Sequence, residues 1–337
     1  MKLSKETHGM ILLLGASGYF GRTFAGELRR RGCSFIPLTR RAFDYTRFDF
    51  LFDYLRTTRP AFVINAASYC GSSADPQDID REKAMAANAL LPQMIARVCL
   101  MTKTPWAHVS SGSIYSGVKI CENHRWRVER DSAKPGLARQ YAEHPERFCG
   151  FTELDEPNFS FRQPPCDFYA GTKALAEEAI REIGESYLWR LREPFNERDD
   201  PCNLFARLPG SGLAGLNSLS HLEDGIRACL DLWEYRAPFG IYNIVNPGAA
   251  DVSALAERLE RLQKSSRLAW LGARAPAGHA ARPLRSNCVL DAGKLLKAGV
   301  KLRPLGEALE DSLDRLATTA RGARILEKPR FVPTASV

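Results

Sequence analysis

Tyr169 and Lys173 stand four residues apart in the stretch DFYAGTKALAEEA, residues 167–179. On a helix, positions i and i+4 share one face, so this spacing points a phenol and an ammonium the same way. A free phenol titrates near 10 and exchanges protons poorly at neutral pH. A nearby cation favours the phenolate and lowers that pKa. Tyr169 is thereby expected to serve as a general acid or base for interconverting a carbonyl and an alcohol. The bland alternative is a surface cation resting on an aromatic ring, and only the order of other motifs along the chain separates the two.

A second feature that could do chemistry lies near the start. GASGYFG places Gly15, Gly18 and Gly21 between an apolar run, residues 10–15, and a helical pattern, residues 19–32. The spacing is GxxGxxG rather than GxGxxG, but the physics is shared. Glycine permits the tight turn, lets backbone approach a pyrophosphate, and aims helix N–H groups at it. The candidate cofactor contacts here are Gly15, Ser17, Gly18, Tyr19, Phe20 and Gly21. After the second strand, PLTRRAFD puts Arg40 and Arg41 where an acidic residue would select NAD. Arginines there suit the extra phosphate of NADP(H), with NAD(H) as the other option. Asp44 either lines the adenine pocket or caps the next segment.

The elements that must position these groups alternate. Strands are predicted at 10–15, 34–39, 61–68 and 106–111, with helices at 19–32, 48–60 and 79–102 between them. That rhythm implies right-handed βαβ units and a doubly wound parallel α/β sheet of Rossmann type. Residues 118–166 break it and read as an insertion or lid with short helices. A helix follows at 168–188, then a fifth strand, CNLFARL, at 202–208. A helix at 221–235, a strand at 240–246, a helix at 251–264 capped by Asp251, and helices near 291–297 and 304–318 complete the pattern. The expected organisation is a cofactor-binding domain over 9–207, a smaller interleaved substrate region over 208–325, and a tail at 326–337.

Taken in order, the glycine turn, NAA (65–67), VSSGSIYSG (109–117) and YxxxK resemble the short-chain dehydrogenase/reductase superfamily in its extended form. Within it, FTELDEPNF, GIYNIVNPG and the stretch from RPLRSN onward are similar to nucleotide-sugar 4-ketoreductases. These are the dTDP-4-dehydrorhamnose reductases and the plant-type enzymes that make nucleotide-linked rhamnose. The resemblance spans roughly residues 10–320. It implies Tyr169 as catalytic acid/base, Lys173 as its partner and ribose contact, and Ser111 as holder of the substrate oxygen, with Ser110 and Ser113 close enough to compete. It implies Asn65, Ala66 and Ala67 over the cofactor and Asn88 as the family's helix asparagine. Cys70, Ser113, Arg207, Arg282 and Arg285 become candidate substrate contacts, the last two for a diphosphate. The implied reaction is reduction by NADPH of the C4 ketone of a nucleotide-linked 4-keto-6-deoxysugar. The rivals are an epimerase or dehydratase on the same scaffold, which would retain its cofactor, and a non-catalytic NADP sensor. The cysteine that the bifunctional enzymes carry shortly before the helix asparagine has no counterpart in SSADPQDIDREK.

Bulk composition restricts the rest. The chain has 337 residues, 45% apolar and 26% charged, with net charge +8. The basic residues are scattered, and Arg29–Arg31 suits a helix C-terminus rather than nucleic acid. No apolar run reaches the length of a membrane span. Nine dispersed cysteines without a CxxC pair fit reduced cytosolic thiols. Cys121, His124, His144 and Cys149 could in principle close around zinc. The expectation is that they stay free, and the scheme needs no metal. The expected partner is a nucleotide sugar, without nucleic acid or membrane; a homodimer is one option for the assembly.

Overall fold

The computed structural model describes residues 9–71, 79–208, 213–265 and 284–326. A six-stranded sheet forms its centre: β1 (Ile11–Leu14), β2 (Phe35–Leu38), β3 (Phe62–Asn65), β4 (Trp106–Ser111), β5 (Ser186–Leu191) and β6 (Gly240–Ile244), in the order β6-β5-β4-β3-β1-β2. All five pairings are parallel. This is the doubly wound Rossmann-type sheet. β1, ILLL, is buried at every position, as a strand covered on both faces should be. One face carries helices α1 (Tyr19–Arg31) and α5 (Leu222–Glu234), which pack Phe24, Leu28, Ile226 and Leu230 against Phe62, Tyr187 and Trp189. The other carries α2 (Phe48–Thr58), α3 (Arg81–Thr102) and α4 (Phe168–Ile180), with Leu51, Ile95, Val98 and Ile180 on Leu12, Leu14 and Val63.

Strand order reverses at β1, which has β2 on one side and β3 on the other. Chain crossovers leave in opposite directions there, so a crevice opens at the carboxyl ends of β1 and β3. A second apolar core supports the far side of that crevice. It joins Phe195, Phe205, Leu255, Leu309 and Leu313 from α6 (Val252–Ser265), α7 (Leu305–Leu326) and the loops after β5.

Three sequence expectations change. The fifth strand is Ser186–Leu191, SYLWRL, not 202–208; the latter holds a one-turn helix, Leu204–Arg207, whose N-cap Asn203 accepts from the Phe205 amide at 3.1 Å. The helix expected over 168–188 stops at Ile180, and Gly184, with φ of +65°, lies in the turn that releases the chain into β5. Residues 118–166 carry the expected short helices, Leu137–Glu143 and Pro145–Arg147, but also strands that were not expected. Val118–Glu122 and Arg125–Glu129 form a hairpin through Asn123 and His124, both in the left-handed region, and Phe148–Cys149 adds a third antiparallel strand. Backbone bonds sew this sheet to the C-terminal region: Gly117 N to Asn287 O at 2.6 Å and Leu216 N to Ser132 O at 3.0 Å.

Two helices carry local irregularities that matter below. α3 contains a π turn at Ala86–Leu90. It is also the one helix among the described residues long and apolar enough to cross a membrane, yet half of that window is buried inside the protein. α4 begins at Asp167, whose carboxylate accepts from the Ala170 amide at 2.7 Å. The expected tail after Leu326 lies outside the described residues.

Candidate active site

The first βα corner is built for close backbone approach. Gly15 adopts φ of +77°, and a Cβ there would lie 2.6 Å from the Ala67 amide nitrogen. A Cβ on Gly21 would run into the Gly15 carbonyl. A side chain at Gly15 would wedge the corner away from the 65–67 loop, and one at Gly21 would push helix α1 off the Gly15–Ala16 turn. Helix α1 starts at Gly18 with no side-chain cap and no acidic residue in its first turn. Its amides and dipole therefore face the crevice mouth, ready for an anion. Tyr19 contributes backbone only, because its ring is buried and its hydroxyl meets Asn196 Oδ1 at 3.4 Å. Phe20 is half-buried and Ser17 exposed. Arg40 and Arg41 are both exposed beyond β2. Asp44 binds the Thr46 amide at 3.2 Å and so caps its own turn.

The opposite lip is set by β3. Asn65 Oδ1 accepts from the Ala67 amide at 3.1 Å, and its Nδ2 meets His108 Nδ1 at 3.1 Å. His108 is fully buried, and burial, with the Lys173 charge nearby, keeps it neutral. Sequence reasoning missed this residue; a histidine inside an apolar strand was the available signal. Asn88 is also fully buried, in the π turn of α3. Its amide binds Ser68 Oγ at 3.0 Å, Tyr69 N at 2.8 Å and Tyr69 O at 2.7 Å. It thus clamps the loop after β3, and the extra residue of the π turn is what brings it there.

Tyr169 and Ser111 come together at the end of β4, where the Ser111 and Ser68 hydroxyls lie close enough to the phenol to lower its pKa. Ser110 points to the other side of its strand and donates to Glu177. Alternation along a strand thus removes the ambiguity among the serines. Ser113 Oγ accepts from Ser111 Oγ at 3.0 Å. Lys173, buried to 1% exposure, donates to the Val109 carbonyl at 3.1 Å and sits 5.9 Å from the centroid of the Tyr169 ring.

The expected acidification of the phenol does not hold. Burial pushes the Tyr169 hydroxyl up, a negative Cys70 pushes it further, and the Ser111 and Ser68 hydroxyls only partly offset this. Burial also brings Lys173 down to about 8, against the raising effect of Glu177. For Lys173 desolvation exceeds the Coulombic gain from Glu177, and for Tyr169 desolvation and the neighbouring negative charges act in the same direction.

Beside the phenol lies a charged cluster whose acidic member the sequence reading did not single out. Ser111 pairs in register with Leu191, so Arg192 and Glu193 leave β5 level with the Ser111–Ser113 turn. Arg192 donates to Ser113 Oγ at 3.1 Å, Glu193 Oε1 at 3.0 Å and Asn217 Oδ1 at 2.7 Å. Arg207 donates to Glu193 Oε2 at 2.5 Å. Burial would raise the Glu193 carboxyl, but Arg207, Arg192 and Arg285 bring it down to about 2. Glu193 is also a non-glycine residue with φ of +38°, a strained conformation of the kind found at functional sites. Burial and the neighbouring Arg207 charge lower the pKa of Arg285. Arg192, Arg207 and Arg285 stand among two carboxylates, Glu193 and Asp167, so cations outnumber carboxylates in the cluster, and the buried Nε of Arg207 has no hydrogen-bond partner among the described residues.

Comparison with known proteins finds relatives among nucleotide-sugar reductases. Residues 9–140 match the RmlD substrate binding domain. The dTDP-4-dehydrorhamnose reductase of Streptomyces griseus is 25% identical over 322 residues, 95% of this chain and 97% of that one. A trifunctional UDP-glucose 4,6-dehydratase/epimerase/UDP-4-keto-L-rhamnose reductase of Arabidopsis thaliana is 24% identical over 251 residues. This chain spans 33% of that plant enzyme's length. Among solved structures, the Bacillus anthracis dTDP-4-dehydrorhamnose reductase in complex with NADP shares the fold, with TM-score 0.65, 16% identity, and 94% and 100% of the two chains covered. A UDP-rhamnose synthase of Acanthamoeba polyphaga mimivirus gives TM-score 0.68 at 16% identity, covering 91% and 99%. The resemblance to the nucleotide-sugar 4-ketoreductases is borne out.

In the cleft the remaining candidates divide. Arg207 ends a helix rather than a strand, because residues 204–207 are helical, but it does reach the site. Arg285 joins the cluster and Arg282 lies outside the described residues. Cys70 is exposed five residues past β3, with its sulfur 3.6 Å from that of Cys202. Cys121, His124, His144 and Cys149 do not converge. Among the described residues, no three His, Cys, Asp or Glu side chains form a group able to hold a metal.

Proposed function

We propose that this protein reduces the C4 ketone of a nucleotide-linked 4-keto-6-deoxysugar, using NADPH in preference to NADH. The observation that carries this reading is the placing of the Tyr169 phenol beside Ser111 at the crevice mouth, with Lys173 Nζ 5.9 Å from its ring centroid and burial holding the phenol protonated. A reductase needs a proton donor at the carbonyl oxygen, and a neutral phenol is one.

The corner residues fit a dinucleotide. Gly15, Gly18 and Gly21 would admit its pyrophosphate to the N-terminus of α1, and Arg40 and Arg41 would meet a ribose phosphate. Asn65, Ala66 and Ala67 would form the opposite lip. The bound nicotinamide cofactor supplies the hydride. The chain's own groups do the rest. Ser111 Oγ orients the carbonyl oxygen, and Tyr169 Oη gives its proton as negative charge develops there. Lys173, charged at neutral pH, stabilises the phenolate left behind. Arg207 and Arg285 suit a diphosphate through their paired donors.

Glu193 argues against the dehydratase alternative. Its charge reaches the phenol, but it is ionised and both its oxygens are held by Arg192 and Arg207. A carboxyl held at about 2 is a poor acid and a weak base near neutral pH. The nine cysteines are all free, which supports a reducing, cytoplasmic setting. The test is a panel of nucleotide-linked 4-keto sugars with NADPH or NADH, followed by loss of nicotinamide absorbance. Sustained consumption of NADPH is expected. Product epimers without net consumption would mark an epimerase, and consumption undiminished in Tyr169→Phe would overturn the assignment.

A further inference from the structure

Cys70 and Cys202 come from opposite walls of the crevice. Cys70 follows the 65–67 lip, and Cys202 directly precedes Asn203, the cap of the helix that carries Arg207. Their sulfurs are 3.6 Å apart, and among the described residues no other two cysteine sulfurs are in such contact. A disulfide needs ~2.05 Å, so the sulfurs must close by about 1.5 Å, a shift within reach of side-chain rotation. The segment holding Cys202 is also tied to both halves of the site. Asp200 accepts from the Cys202 amide at 2.9 Å and pairs with Arg22 in the first turn of α1. Arg207 reaches Glu193 on the substrate side.

We propose that Cys70 and Cys202 are a dithiol modification site, which a peroxide converts to a disulfide strapped across the crevice, barring the sugar from Tyr169. The chemistry balances in two steps. The Cys70 thiolate attacks one peroxide oxygen, which forms Cys70–SOH and releases water after protonation of the leaving hydroxide. The Cys202 thiol then attacks that sulfur; the S–S bond forms, the S–OH bond breaks, and a second water leaves. Two thiols are oxidised by two electrons and one peroxide is reduced to two waters.

The two cysteines are suited to these roles. Cys70 is exposed. The hydrogen bond from Cys202, together with Arg207 and Lys173, pulls its thiol down, which favours the reactive thiolate. Burial pushes the thiols of Cys33, Cys99, Cys149, Cys166, Cys229 and Cys288 up, which protects them. The Cys202 thiol is also pushed up, chiefly by the hydrogen bond it gives the Cys70 sulfur; once Cys70 is a neutral sulfenic acid that hold is gone, and Cys202, in contact with the sulfur it attacks, passes its proton to the leaving hydroxyl as the resolving thiol.

The bond itself does not depend on the proposed reductase activity; its effect on turnover does. The full chain, reduced and then exposed to hydrogen peroxide, is assayed three ways: thiol titration, intact mass with peptide mapping, and NADPH consumption. The expected result is a fall from the nine thiols of the sequence to seven, a mass loss of about 2 Da, and a cross-linked Cys70–Cys202 peptide. Turnover falls at least about tenfold and dithiothreitol restores it. Cys202→Ser keeps its basal turnover, forms no such cross-link, and retains activity under the same peroxide. Absence of the Cys70–Cys202 peptide in oxidised wild type overturns the site. A full cross-link with unchanged turnover overturns the barring role, as does equal, reversible inhibition of Cys202→Ser. Should the reduced protein consume no NADPH with any nucleotide sugar, the reductase reading fails, and the thiol count and peptide map still decide the dithiol.

Discussion

Lys173 Nζ stands 5.9 Å from the centre of the Tyr169 ring and donates its hydrogen bond to the Val109 carbonyl, 3.1 Å away. The pair shares a helix face, as its spacing requires, but it is not an acidified phenol waiting as phenolate. Burial keeps Tyr169 protonated and ready to donate. The ammonium becomes important after the proton has left, when it faces the charge on the phenolate.

Removing the phenolic oxygen should therefore strike chemistry rather than binding. Tyr169→Phe is expected to lower kcat by about 10²–10⁴ while leaving KM for the nucleotide sugar within a few-fold. Steady-state kinetics with NADPH measure both, and thermal unfolding should show an intact fold.

Lys173 couples function to stability in opposite senses. Its folded pKa of about 8 lies below the usual value of 10.5, so the folded chain binds fewer protons than the unfolded chain between those values. Stability contributed by this group consequently rises with pH from about 8 to 10.5. Below about 8 the buried charge is a liability, with an upper bound of ~3 kcal/mol at 1.36 kcal/mol per tenfold. Lys173→Met should stabilise the protein by about 1–3 kcal/mol at pH 7, lose that advantage above pH ~10.5, and abolish reduction. Urea unfolding at several pH values checks the sign.

The serine pair on β4 offers a matched comparison. Ser111→Ala is expected to cut kcat about 10–100-fold by removing a hydroxyl aimed at the reacting oxygen. Ser110→Ala leaves that hydroxyl in place and instead removes a partner of Glu177, which Arg190 also holds at 2.6 Å. It should cost about 1 kcal/mol of stability with kcat almost unchanged. Equal kinetic damage in both variants would contradict the strand-face assignment.

How much of this was legible in the sequence depends on whether a residue's role is local. The first corner was readable because Gly15 and Gly21 answer to their own backbone neighbours, as was the sharing of a face by Tyr169 and Lys173. β5 was not, because SYLWRL continues the apolar character of α4 and only Gly184 marks the break. Once β5 was misplaced, Glu193 could not be seen as a site residue. Its position follows from the pairing of Ser111 with Leu191, 80 residues apart in the numbering. The phenol's pKa was misjudged for a related reason: spacing gives proximity of charge, whereas desolvation depends on the whole surrounding fold. Asn88 was recognised, but its action through the 68–69 loop depends on a π turn that sequence periodicity does not reveal.

Glu193 should control both acid stability and the substrate arginines. Its carboxyl is brought from the usual 4.5 to about 2. The stability it contributes is thus fully present above pH ~4.5 and lost as pH falls towards 2. Glu193→Gln leaves Arg192 and Arg207 without their shared counter-charge, at a cost of about 3 kcal/mol near pH 7. The difference from wild type should shrink steadily below pH ~4.5 in denaturant titrations. KM for the nucleotide sugar should rise more than kcat falls, because Arg207 loses its anchor.

Cofactor choice rests on two exposed side chains beyond β2. Arg40 and Arg41 show no hydrogen bond that would commit them elsewhere among the described residues, so they are available to a 2′-phosphate. Replacing both with alanine removes that attraction without touching the glycine corner or the α1 amides, which recognise the pyrophosphate common to NADPH and NADH. The double variant is expected to raise KM for NADPH about 10–100-fold, equivalent to ~1.4–2.8 kcal/mol at 1.4 per tenfold, and to leave KM for NADH within about twofold. Because the positions are solvent-exposed, the melting temperature should not move by more than a degree or two. Unchanged NADPH affinity would mean that the extra phosphate is read elsewhere, and the arginines would then be ordinary surface charge.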